Sequence, residues 1–171
     1  MRKILDAISI ALLALQFLIT FTALYGAGRL PQRFPTHLDI VGHPDHWSTT
    51  SSLPVLPFVA LVLYLFISIV AAFSSMANYP GNVTPENRPR IEELTLGLIS
   101  WIKAELVAMF GCFQLTLLEA GWHPERESSQ FGVWALLAAI LVTTGWYIAA
   151  MVRGSRSGDP PLDSGEVSDD S

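Results

Sequence analysis

Five residues between positions 37 and 46 carry side chains that bind metals or move protons: His37, Asp39, His43, Asp45 and His46. They include two H-x-D pairs, His37/Asp39 and His43/Asp45. Residues two apart on an extended strand point to the same side, so each pair can offer an imidazole and a carboxylate together to a divalent cation such as zinc. Imidazole also titrates near neutral pH, which would make the same residues a pH sensor. The expectation preferred over both is that His37 and Asp45 hydrogen-bond within a folded loop, with Trp47 anchoring it at a membrane interface. A second set lies in apolar surroundings: Asp6, Lys103 and Glu105. A charged residue at the centre of an inserting helix costs about 2.5 to 3.5 kcal/mol, so each needs a partner or a route to water. Lys103 and Glu105 are two apart, about 200° around a helix, so they need different partners. An ion pair between Asp6 and Lys103 is the preferred arrangement, with snorkelling of Lys103 to the headgroups as the competing one. Gln16 and Gln114 are expected to hydrogen-bond between helices.

No other constellation points to catalysis. Ser, His and Asp all occur, but there is no nucleophile elbow, phosphate loop or H-E-x-x-H motif, so no enzyme and no cofactor is expected. The single Cys112 excludes an intramolecular disulfide framework and a cysteine cluster, and reads as a packing residue. No basic patch with interleaved aromatics supports a nucleic-acid partner.

The elements that must position these residues are four apolar blocks: Ile4 to Tyr25, Leu53 to Phe73, Leu94 to Leu118 and Phe131 to Val152. The chain is 51% hydrophobic and 15% charged, well below the roughly 25% charge of a soluble domain, and each block as a helix spans about 30 Å or more. The expected fold is an all-α integral membrane protein with four transmembrane helices over residues 1–153 and the bilayer as its solvent. The first span follows a basic Met1-Arg2-Lys3 but is longer than a signal-peptide core, so it is expected to be retained. Ile91, Leu94, Leu98 and Trp101 form a helical stripe suited to an interfacial lead into the third span. Small residues four apart (Ala7/Ala11, Ala104/Ala108/Cys112, Ala135/Ala139, Gly145/Ala149) would permit close helix approach. Trp122, Trp134, Trp146 and Tyr147 fit an interfacial aromatic belt.

The longest connection, Gly28 to Ser52, holds Pro31, Pro35, Gly42 and Pro44 around an alternating Thr36 to Ile40 stretch, and reads as a short hairpin or folded loop. Ser48 to Ser52 supply N-cap candidates for the second span, and Pro57 a kink. The net charge of −5 is concentrated at one end: Gly154 to Ser171 holds five acids and one arginine, leaving −1 for the body. That segment, rich in Ser, Gly, Asp and Pro, is expected to be a disordered acidic tail. Arg2, Lys3, Arg88, Arg90, Arg153 and Arg156 flank one side of the spans, against Arg29, Arg33 and Arg126 on the other. Six against three places both termini in the cytoplasm and the long loop outside. The Asn82-Val83-Thr84 sequon then falls inside, as a chance match.

Leu30-Pro31, Phe34-Pro35-Thr36-His37-Leu38-Asp39, Gly42, Pro44-Asp45 and Trp47, following a first apolar helix, form a string that resembles the amino-terminal domain of SdpI-type bacterial immunity membrane proteins. That domain also occurs alone as an uncharacterised membrane family. Thr84-Pro85-Glu86-Asn87 before a helix carrying Lys103 extends the resemblance over roughly residues 1 to 120. The resemblance implies a bacterial cytoplasmic-membrane protein, with toxin immunity or sensing attached to some members. Full-length immunity proteins carry a second membrane domain, which these four spans do not supply. Recognition of a peptide toxin or another membrane protein would then rest on His37, Asp39, Gly42, Asp45 and Trp47. The competing class is a transporter or channel component that uses Asp6, Lys103 and Glu105 as a charged path. The two halves of the chain do not echo each other, so an inverted repeat is not indicated.

Overall fold

A computed structural model describes residues 1–26, 31–74 and 83–156. Four long helices, α1 (Arg2–Tyr25), α2 (Val55–Ala72), α3 (Arg88–Trp122) and α4 (Phe131–Arg156), alternate with a hairpin between α1 and α2. All four are long and apolar enough to cross a membrane, with the second span reaching back through a 3-10 turn to Thr50, so the chain is a multi-pass membrane protein. The hairpin is β1 (Arg33–Leu38) against β2 (Pro44–Thr49), antiparallel, with irregular register around His37.

α3 is the axis of the bundle, packed against α1, α2, α4 and β1. At 35 residues it is about 50 Å long, more than the hydrocarbon layer requires. The extra length lies at both ends. Thr84 and Asn87 start it with reciprocal bonds, the Thr84 N–H donating to Asn87 Oδ1 at 2.8 Å and the Asn87 N–H to Thr84 Oγ1 at 3.4 Å. The Thr84 hydroxyl beside Glu86 also holds that carboxyl below its usual range. The Ile91, Leu94, Leu98, Trp101 stripe packs against Tyr147 and Met151 of α4. Tyr147, expected in the aromatic belt, is therefore buried.

Three apolar layers stack along the bundle. The first joins Ile91 to Tyr147 and Met151, the second Leu13, Ala60 and Val107, and the third Ala23, Leu117 and Leu118 to Phe34 and Leu38 of the hairpin. β1 thus plugs the end of the bundle with the residues that its alternation turns inward. The face that α1 buries is Leu5, Ser9, Leu13, Gln16, Thr20 and Ala23, while Ile8, Leu15, Leu18 and Phe21 are exposed to the surroundings. Ala7, Ala11, Ala135, Gly145 and Ala149 also face outward, so those small-residue pairs do not make the close helix contacts expected of them.

The cap of α2 and the end of α4 depart from the expectations. α2 has no side-chain cap. The Ser48–Ser52 hydroxyls close the base of the hairpin instead, with Thr50 Oγ1 donating to the Pro31 carbonyl and the Thr50 N–H to the Gln32 carbonyl at 3.1 Å. Pro57 stands in the first turn of α2, where a helix N–H has no intrahelical partner in any case, and the helix continues through it. α4 runs to Arg156, three residues into the segment assigned to the tail. The rest of that tail, Leu30 and Asn82 lie outside the described residues.

Candidate functional site

The hairpin and the loop joining α3 to α4 meet at one end of the bundle. Asp39, just past β1, builds the turn: its Oδ1 accepts the N–H groups of Val41, Gly42 and His43 at 2.9, 2.8 and 2.9 Å. These donors, that of His43 foremost, hold the Asp39 carboxyl below its ordinary value. Gly42 has φ of +101°, and its carbonyl accepts the Ser128 N–H at 3.3 Å. A Cβ there would come within 2.2 Å of the Ser128 carbonyl oxygen, so only glycine fits both the backbone angle and the approach. The Gln130 amide donates to the Asp39 carbonyl, making a second tie between hairpin and bundle.

The H-x-D pairs are not the pairs that form. His37 Nδ1 donates across the hairpin to Asp45 Oδ1 at 2.6 Å, the loop bond preferred from sequence, while Asp39 is occupied by backbone. His43 lies 3.6 Å from Asp39 Oδ2 and 3.5 Å from Glu127 Oε1, and His46 stands opposite His37 in the register. Among the described residues, no three His, Cys, Asp or Glu side chains are grouped to hold a metal ion. His37, Asp39, His43, Asp45 and His46 are not gathered round one point: the turn spends Asp39 Oδ1 on backbone amides and the register gives Asp45 to His37.

A cleft of about 480 Å³ lies between this hairpin and the helices. His37, Leu38, Asp39, Ile40 and Asp45 form one wall; Phe113 of α3 with Gln130 and Trp134 at the start of α4 form the other. Trp47 stands outside it, partly exposed on β2. Of the residues singled out in sequence, His37, Asp39 and Asp45 line the cleft and Gly42 shapes its turn. Phe113, Gln130 and Trp134 were missed, because nothing local ties residues 113 to 134 to a hairpin 80 positions earlier.

Deeper in the bundle, Lys103 Nζ lies 2.5 Å from Asp6 Oδ1 on α1 and donates to Ser68 Oγ on α2 at 3.2 Å, with the Tyr64 ring 4.8 Å away. The Lys103 side chain is only 6% exposed, that of Asp6 38%. Glu105 turns to the other side of α3 as helix geometry demands, and its Oε1 accepts the Thr143 hydroxyl of α4 at 2.7 Å. Its Oε2 is buried without a partner among the described residues. Gln16 donates to the Val107 carbonyl at 2.9 Å. Gln114 donates to Thr20 Oγ1 at 2.8 Å and to the Gln16 carbonyl at 3.1 Å. The partners Ser68, Thr20 and Thr143 had a signal in sequence: a polar residue in an apolar span marks the face turned from lipid.

The family described as a domain of unknown function (DUF1648) matches residues 11–61, from α1 through the hairpin into α2. No curated protein and no solved structure matches the chain. The matched segment thus contains His37, Asp39, Gly42, Asp45 and Trp47, and the family carries no assigned activity.

Proposed function

We propose that this chain is a binding protein of a bacterial cytoplasmic membrane, receiving a ligand in the cleft beneath its hairpin and serving in sensing or in protection against a membrane-active peptide. The observation that carries this reading is the cleft of about 480 Å³, with the His37–Asp45 pair on its polar wall and Phe113 and Trp134 on its apolar one. A concave, largely apolar site with a few placed polar groups is the usual form of a ligand site. Its surroundings are acidic: Asp39, Asp45, Glu119, Glu125 and Glu127 outnumber Arg33 and Arg126 among the described residues. The opposite flank holds the excess of arginine, which supports an outer cleft and cytoplasmic termini. An acidic rim over an aromatic wall suits a cationic amphipathic peptide, and the resemblance of the Leu30 to Trp47 string to SdpI-type proteins supports the same role. The mechanism is binding relayed through the helices, with no catalytic step.

The test is complementation. Cells lacking the gene regain resistance to cationic membrane-active peptides with the wild-type chain. They do not regain it with Asp45→Asn or Trp134→Ala at equal membrane abundance. Sensitivity that is the same with and without the gene would contradict protection.

The buried, unpartnered Glu105 Oε2 gives the transport reading its one specific support. In that reading neutralising Lys103 or Glu105 abolishes flux in a protein that still folds and inserts. Loss of expression alone would mark both as structural, which the engagement of Lys103 by Asp6 and Ser68 favours.

A further inference from the structure

At the end of the bundle away from the hairpin, two cavities meet. One, of about 540 Å³, takes its charged walls from Arg2 of α1 and from Arg90 and Glu93 of α3. The other, of about 370 Å³, is almost wholly apolar and lies between Trp101 of α3 and Val142 of α4. Trp146 and Tyr147 line both, so the two form one groove with a charged mouth and an apolar floor. Gly97 lets Tyr147 sit flush in it: a Cβ at Gly97 would come within 3.0 Å of the Tyr147 hydroxyl. Among the described residues, neither Arg2 nor Arg90 forms an ion pair.

We propose that this groove holds one anionic phospholipid of the surrounding leaflet, its phosphate between Arg2 and Arg90 and an acyl chain along Trp101 and Val142. Three observations converge on that occupant. The groove lies where spanning helices end, the level of headgroups, and Trp146 is 57% exposed beside it as an interfacial aromatic is. Guanidinium groups bind phosphate oxygens in a bidentate fork, and basic pockets between helices on the cytoplasmic side are suited to anionic headgroups. The mouth itself carries one net positive charge, since Glu93 offsets one arginine. That net positive mouth favours a lipid of net negative charge over a zwitterion. Glu93 can accept a headgroup hydroxyl, which points to phosphatidylglycerol.

The full chain in detergent, mixed with phosphatidylglycerol or with phosphatidylethanolamine of the same acyl chains and weighed by native mass spectrometry, tests this. The expected result is one bound phosphatidylglycerol, preferred roughly 25-fold at about five-fold per arginine. The Arg2→Gln/Arg90→Gln pair removes the preference, Arg126→Gln at the far end keeps it, and Trp101→Ala weakens both lipids alike. Equal binding of the two lipids, or a preference that survives the double change, overturns the proposal. So does full displacement by glycerol phosphate, which would make the site one for free phosphate. The wild-type preference must also fall in high salt, a reading that needs no variant; a salt-independent preference counts as contradiction.

Discussion

The hairpin end and the membrane-embedded stretch of α3 hold their polar groups in opposite ways. At the hairpin, water is the neighbour, and burial of Phe34 and Leu38 is what fixes β1 to the bundle. Its polar groups are spent on local turns or left at the cleft, where Asp45 remains half exposed. Within the membrane, apolar side chains gain nothing by facing inward, since lipid is as apolar as leucine. There the inward face is marked by Ser9, Gln16, Thr20, Lys103 and Gln114. The same property, polarity, therefore signals a structural seam in one region and an approachable site in the other.

The largest expected effect breaks the seam. Lys103→Met leaves Asp6 without its cation and costs about 3 kcal/mol, the low end for a broken buried pair because Asp6 is partly exposed. Denaturant unfolding in micelles measures it, and adding Asp6→Asn should recover part of the loss. A cost near zero would mean that Lys103 is not structural. Gly42→Ala should then cost about 1 to 3 kcal/mol locally, through the positive φ and the clash with Ser128. Amide exchange should rise over residues 31–49 with α3 unchanged, showing that hairpin and bundle open separately. Gln114→Leu sharpens the inner half of the comparison: it removes bonds to Thr20 and the Gln16 carbonyl at about 1 kcal/mol, read as a lowered unfolding midpoint in micelles. The smallest effect is one of pH. Because the Asp39 carboxyl titrates below its ordinary 3.8, its contribution to the turn is present above that value and is lost as pH falls through the lowered one. Exchange at Val41 to His43 should be unaffected by titration of Asp39 between pH 7 and 5 and accelerate only in stronger acid.

The four spans and the hairpin were legible because length, hydropathy and the Pro/Gly-bounded alternation of Thr36 to Ile40 are local signals. Helix geometry also separated Lys103 from Glu105. The α3 stripe was legible as a helical face, but the spacing of Ile91 and Trp101 does not name the neighbour, Tyr147, that the face meets. The His37–Asp45 bond was the pairing preferred from sequence, but a two-residue spacing cannot show that Asp39 Oδ1 will be taken by the turn's backbone amides. The cleft depends on Phe113 and Trp134, whose approach to the hairpin follows from the length of α3 and the Gln130 and Ser128 ties. None of those is visible one segment at a time.

The most direct test of the division between the proposed recognition site in the cleft and an inner seam is fluorescence titration of a labelled cationic amphipathic peptide into the purified chain. The account predicts saturable binding that weakens at least about ten-fold in Asp45→Asn/Trp134→Ala, roughly the 1.4 kcal/mol expected for losing one charge-assisted contact and an aromatic wall. Gln114→Leu should bind as the wild type does. Equal affinity of the cleft variant and the wild type, or loss of binding in Gln114→Leu alone, would contradict it.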